Sequence, residues 1–155
     1  MILLMRLLAV LAVICSSNVL DAVVIPEDPE PIVEVKAYSD EDVYWLSRVI
    51  YAESGADYCS DELQLAVGSV VLNRVKSDLY PDSIKEVIFD SEHGCQYGCT
   101  KNGMIYLDPN QRAIDNAVYL LENGPQLPAD VLGQAHTNTL REVYKVIDGV
   151  VFSRI

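Results

Sequence analysis

Apolar residues recur at helical spacing from Val43 to Glu53, preceded by Ser39 as a cap and Asp42 three residues on, an arrangement that forms a capping box. At about 100° per residue from Val43, Val49 falls at roughly 240°, Leu46 at roughly 300° and Ile50 at roughly 340°. Glu53, at roughly 280°, lies inside that apolar arc. A second helix is expected over Asp61–Lys76, capped by Ser60, with Asp61 and Glu62 in its first turn and Arg74 and Lys76 in its last, as the helix dipole favours. Its body is almost all Leu, Val, Ala, Gly68 and Ser69, so it reads as the central helix, buried on most sides.

After Tyr80-Pro81, Asp82 or Ser83 caps a short helix ending at Phe89. A loop of about 18 residues follows, a length at which loops are often functional. Asp108 as cap, Pro109 at the first position and Gln111 at the third predict another helix, which stops at Asn123-Gly124. The period then changes: Val131–His136 reads as a strand, and Val143–Ile147, Asp148-Gly149 and Val150–Ser153 read as a hairpin with a type I′ turn. Helices precede strands, so the expected class is α+β.

The first 38 residues do not continue these patterns. Met1–Ser17 has Arg6, an apolar stretch from Leu7 to Cys15 and small residues at Cys15 and Ser17, which is the grammar of an export signal. Its apolar stretch of nine residues is far short of the roughly 20 needed to span a bilayer, so no integral membrane span is expected after cleavage. Residues 18–38, with Pro26, Pro29 and Pro31 among acids, read as an extended linker. The folded domain is expected over 39–155, secreted or held in the cell envelope, and monomeric.

Charge narrows the partners. The chain carries 11 Lys and Arg against 23 Asp and Glu, a net −12, and residues 39–155 alone carry 9 bases against 18 acids. Binding to nucleic acid needs clustered cations that release phosphate counterions, and this chain has no such cluster. A neutral polymer or small ligand suits it better. Cys59, Cys95 and Cys99 would remain after export, where an oxidising compartment favours one disulfide among three possible pairings.

A carboxylate in an apolar arc is costly to leave ionised, so Glu53 is either paired with Arg48 or Arg74 or kept able to donate a proton. The second possibility makes it the candidate catalytic acid.

The segment Leu46-Ser-Arg-Val-Ile-Tyr-Ala-Glu53, followed by Gln64-Leu-Ala-Val-Gly-Ser-Val-Val-Leu-Asn-Arg-Val-Lys-Ser77, resembles the SleB-type catalytic domain of spore-cortex-lytic cell-wall hydrolases. Tyr80-Pro-Asp-Ser-Ile84, Glu86-Val-Ile-Phe89, Gln96-Tyr97, Ile105–Asn110 and Gly149-Val-Val-Phe152 extend it in order. The resemblance implies a lysozyme-like helical domain with a small C-terminal antiparallel sheet. It also implies cleavage between N-acetylmuramic acid and N-acetylglucosamine in peptidoglycan, without a cofactor, with Glu53 as catalytic acid. The expected course is lytic transglycosylation, in which one carboxyl group serves as acid and then as base. A muramidase would need a second carboxylate, to be sought among Asp57, Asp90 and Glu92. A secreted binding or structural module, with Glu53 merely ion-paired, is the non-enzymatic alternative.

Sugar binding calls for amides and flat rings. Gln64, Gln96, Tyr97 and Gln134 are the candidate substrate contacts, with Tyr51 and Tyr106 as further tyrosines. Asn73-Arg74 belongs to the resemblance too, but a buried cap or salt bridge accounts for it equally well. The chain departs from the family in His93-Gly-Cys95-Gln-Tyr-Gly-Cys99 and in residues 133–141. His93, Cys95, Cys99 and His136 are possible zinc ligands, but their spacing fits no common zinc motif, so no metal is expected. A cysteine nucleophile paired with either histidine has only residue types behind it.

Overall fold

The computed structural model describes residues 36–92, 94–137 and 142–155. The expected signal segment and all but the last residues of the linker lie outside the described residues, as does His93. Helix α1 spans Asp40–Ser54, α2 Asp61–Val75, α3 Ile84–Phe89, α4 Cys99–Asn102 and α5 Gln111–Asn123. Strands β1 (Val131–Ala135), β2 (Val143–Ile147) and β3 (Val150–Arg154) form an antiparallel sheet in the order β1-β3-β2. The architecture is the expected α+β, with helices first and a small C-terminal sheet. No helix among the described residues is long and apolar enough to cross a membrane.

Local chemistry explains most boundaries. Ser39 and Asp42 form the reciprocal capping box, and Ser60 and Ser83 cap α2 and α3 through their hydroxyls. The start of α5 differs from expectation: Asn110 is its cap, accepting from the Ala113 N–H at 2.9 Å, and Gln111 is its first residue. Asp108 is instead engaged by Arg48 at 2.7 Å. The long loop is not structureless, because it contains α4 and a 3-10 turn at Met104–Tyr106. The Asp148-Gly149 turn has positive φ at both residues, 46° and 82°, as a type I′ hairpin requires. Asp148 also accepts from the Ser60 N–H at 2.7 Å, and the Ser60 bonds hold its carboxyl below the usual range.

Helix α2 is the shared wall of two cores. Val71 and Leu72 pack with Leu46, Val49, Ile50, Ile88 and Leu120 of the helical side. Leu63, Val67 and Val70 pack with Val131, Ile147 and Phe152 of the sheet. Gly68 lets α1 and α5 approach closely: a Cβ there would lie 2.4 Å from Leu120 Cδ1 and 2.9 Å from Ile50 Cδ1. The sheet is joined to α2 by polar bonds as well. Asn73 Nδ2 donates to the carbonyls of Pro128 at 2.7 Å and Val131 at 3.1 Å, and Arg74 Nε donates to that of Leu132 at 2.9 Å. The motif Asn73-Arg74 is therefore neither a cap nor a salt bridge.

Gly68→Val places two extra methyl groups where one Cβ already collides with fully buried neighbours. Overpacking of this kind costs about 1–3 kcal/mol. The thermal unfolding midpoint should fall accordingly, and a midpoint equal to wild type would show that α1 and α5 do not press on α2 at this point.

Candidate active site

Glu53 stands on the last turn of α1 and is half-buried. The end of that helix is fixed on several sides. The Ser54 hydroxyl donates to the Ile50 carbonyl at 2.8 Å, while the Ser54 carbonyl accepts from Gln64 Nε2 at 3.1 Å. Gln64 Oε1 in turn accepts from Asn116 Nδ2 at 2.9 Å, tying α1 through α2 to α5. Gly55 follows, and only glycine fits there, since a Cβ would come within 2.3 Å of the Tyr51 ring and 2.4 Å of its carbonyl oxygen.

Neither expected base pairs with Glu53. Arg48 is held by Asp108, and the Arg74 guanidinium lies 5.1 Å and 5.3 Å from the centres of the Tyr80 and Tyr97 rings. A structural ion pair therefore does not account for this carboxylate among the described residues.

Two depressions meet at Glu53. The smaller, about 70 Å³, is lined by Glu53, Val67, Gln96, Gln134, His136 and Val150, along with Ala135. Gln134 Oε1 is buried there without a protein donor, leaving an acceptor for a ligand. The larger, about 310 Å³, runs along the α1–α2 turn and reaches Met104 and Leu107, with Tyr51 and Tyr58 among its walls. Among the described residues Glu53 is the only carboxylate lining either one. Asp57 is exposed in the turn, and Asp90 and Glu92 line a separate cleft with Asp78, Tyr80 and Phe89.

The sequence-derived candidates divide accordingly. Gln96 and Gln134 come together with Glu53. Gln64 and Tyr97 do not: both are buried, and the amide of Gln64 is spent on Ser54 and Asn116. Gln64 thus supports the acid from behind and cannot contact a substrate in this fold. Tyr97 lies in the helical core, where its ring is unavailable for stacking. Tyr106 is exposed with its edge to Trp45, at 6.5 Å between centres. Tyr58, Met104 and Leu107, which the sequence pattern does not single out, also line the larger depression.

The expected disulfide is not formed. Cys59, Cys95 and Cys99 are free thiols, Cys59 buried on the sheet side, Cys99 buried on the helical side and Cys95 exposed. Among the described residues no three His, Cys, Asp or Glu side chains gather as a metal site. Burial, together with the charge and hydrogen bond of Glu53, pushes the Cys99 thiol up to about 12. Burial likewise raises Tyr97 to about 12, with Arg74 opposing and Glu53 adding to the effect. The groups behind Glu53 therefore stay neutral at physiological pH.

This helical body with a small sheet and an acid at the end of its first helix is a lysozyme-like α+β domain. It superposes on the catalytic domain of the Bacillus cereus SleB protein with a TM-score of 0.65 and 26% identity, covering 77% of this chain and 94% of that one. The catalytic domain of the germination-specific lytic transglycosylase SleB from Bacillus anthracis shares the fold at a TM-score of 0.65 and 24% identity, over 77% of this chain and 99% of that one. The Cell Wall Hydrolase family pattern matches residues 60–136. Spore cortex-lytic enzymes are similar over about half of the chain: that of Oceanobacillus iheyensis is 36% identical over 79 residues and that of Bacillus subtilis 35% over 77. These matches span 26% and 23% of the two relatives' lengths. The chain belongs to the SleB-type cell wall hydrolase family.

Tyr97 and Cys99 have a measurable consequence at high pH. An unfolded thiol ionises near 9.0 and an unfolded phenol near 10.0, while in the fold both groups hold their protons to about 12. Their stabilising contribution is thus complete below about pH 9 and is lost as pH rises towards 12. The Tyr97 hydroxyl is buried without a partner, so Tyr97→Phe should hold stability at neutral pH within about 1 kcal/mol of wild type or above it. It should also flatten the alkaline decline in unfolding midpoint and leave KM unchanged. A raised KM would restore Tyr97 as a substrate contact.

Proposed function

We propose that the chain is an exported enzyme of the cell envelope that cleaves the bond between N-acetylmuramic acid and N-acetylglucosamine in peptidoglycan. In this reading it is a lytic transglycosylase that leaves 1,6-anhydromuramic ends, acts as a monomer and needs no cofactor. Residues 1–17 serve as the export signal, 18–38 as the linker and 39–155 as the catalytic domain. Membership of the SleB-type family supports the substrate class. The observation that carries the reaction course is that, among the described residues, Glu53 is the only carboxylate lining the two depressions that meet at it.

The chemistry needs one carboxyl group used twice. Protonated Glu53 gives its proton to the glycosidic oxygen as the bond to the muramic anomeric carbon breaks, so the leaving sugar departs as an alcohol. The resulting carboxylate takes the proton from the muramic 6-hydroxyl while that oxygen bonds to the anomeric carbon, closing the anhydro ring. Glu53 ends as it began, and no water is consumed. Hydrolysis would instead call for a second carboxylate to attack the anomeric carbon or to activate water. Gln96 and Gln134, beside Glu53, are suited to hold hydroxyl or amide groups of the glycan.

Glu53→Gln keeps the shape of the side chain and removes the transferable proton. Release of muropeptides from purified walls should fall by roughly 10² to 10⁴. Mass spectrometry of the wild-type products should find ends lighter by one water than reducing ends. Unchanged release by the variant would refute the role of Glu53, and reducing ends alone would refute the transglycosylase course.

A further inference from the structure

The two depressions at Glu53 differ in size and chemistry. The polar one, about 70 Å³, admits a few water-sized groups such as hydroxyls or a carbonyl, but no sugar ring. The one along the α1–α2 turn, about 310 Å³, reaches the range of small-ligand pockets, roughly 300–1,000 Å³. Its walls include three large apolar side chains left in water: Tyr58 at 88% exposure, Leu107 at 52% and Met104 at 42%. They come from separate segments, Tyr58 from the turn after α1 and the other two from the segment around the 3-10 turn, yet they converge on one depression. Scattered apolar residues on a surface need no explanation, but a group converging beside a carboxylate does. Among the described residues Glu53 is the only charged one in the lining, so the depression suits a neutral occupant with an apolar face.

We propose that this depression seats one N-acetylated hexosamine ring of the glycan strand, with Tyr58 against the face of the ring and Met104 and Leu107 against its acetamido methyl group. The assignment rests on the function proposed above and makes these three residues determinants of specificity. A hexosamine offers the matching chemistry: axial C–H bonds give it an apolar face that packs on an aromatic ring, and its acetyl group adds a methyl. The ring is thereby held with its glycosidic oxygen at Glu53, while polar substituents across the bond reach Gln96 and Gln134.

The test uses the full chain on three substrates: intact walls, walls chemically N-deacetylated, and walls stripped of stem peptides by an amidase. Tyr58→Ala should raise KM on intact walls roughly tenfold with little change in kcat, because Glu53 is untouched. Tyr58 is so exposed that its unfolding midpoint should match wild type, separating loss of binding from loss of fold. The double variant Met104→Ser with Leu107→Ser should lose much of the wild-type preference for acetylated over deacetylated walls, and both effects should persist on peptide-free glycan. Unchanged KM in Tyr58→Ala, with wild-type cleavage intact, overturns this assignment alone. Variant effects that vanish when stem peptides are removed make the occupant a peptide and also overturn it. Failure of the wild-type chain to release any glycan product overturns the parent function and this assignment with it.

Discussion

The structure depends on the side chains with which helix α2 grips the backbone of the sheet. A small three-stranded sheet needs an apolar face packed on a partner, and strand β1 lies against a helix whose surface there is nearly all aliphatic. Apolar packing gives such a contact strength but little register. Asn73 and Arg74 supply register by donating to three carbonyls, of Pro128, Val131 and Leu132, the last two through buried bonds. A buried acceptor without a donor costs about 1–3 kcal/mol, so a slip of one residue is penalised several times over. The strand so fixed is the one that ends with Gln134 and Ala135, the residues facing Glu53.

The other wall of the site is fixed by the same kind of bond at the opposite end of α2. Gln64 is fully buried, yet it carries no charge and spends its amide on Ser54 and Asn116, stitching the end of α1 to α2 and α5. The role proposed for Glu53, donating and recovering a proton, needs a position defined to about half an ångström, and rigid supports of this kind suit it. The two polar ends of α2 thus hold the acid and the facing strand on one element. The apolar middle of the helix holds both cores together.

Much of this was legible in the sequence, for reasons that differ from element to element. The capping box at Ser39 and Asp42, the cap at Ser60 and the Asp148-Gly149 turn are local chemistry and needed no tertiary information. The start of α5 was displaced by two residues because Asp108 and Asn110 are both competent caps, and only the distant Arg48 decides which is free to act. Glu53 was legible because helical period placed a charge among apolar neighbours. Gln64 and Tyr97, expected as substrate contacts, are buried instead: amides and tyrosines serve binding sites and cores alike, and only burial separates the two uses. Tyr58 is far in the chain from Met104 and Leu107, so their convergence is a property of the fold alone.

Charge sets the remaining constraint on how such a site can work. Residues 39–155 are acidic, with 9 bases against 18 acids, so under the proposed function long-range attraction to an anionic wall would not deliver the substrate. Binding must come from contacts that act only at close range. The site is built from such contacts: apolar side chains in the larger depression, amides in the smaller, and one carboxylate between them. A second carboxylate at the site would add to the repulsion, and the proposed course, which closes a ring with the substrate's own hydroxyl, dispenses with it. In that reading the acidic composition and the use of one carboxyl group answer the same constraint.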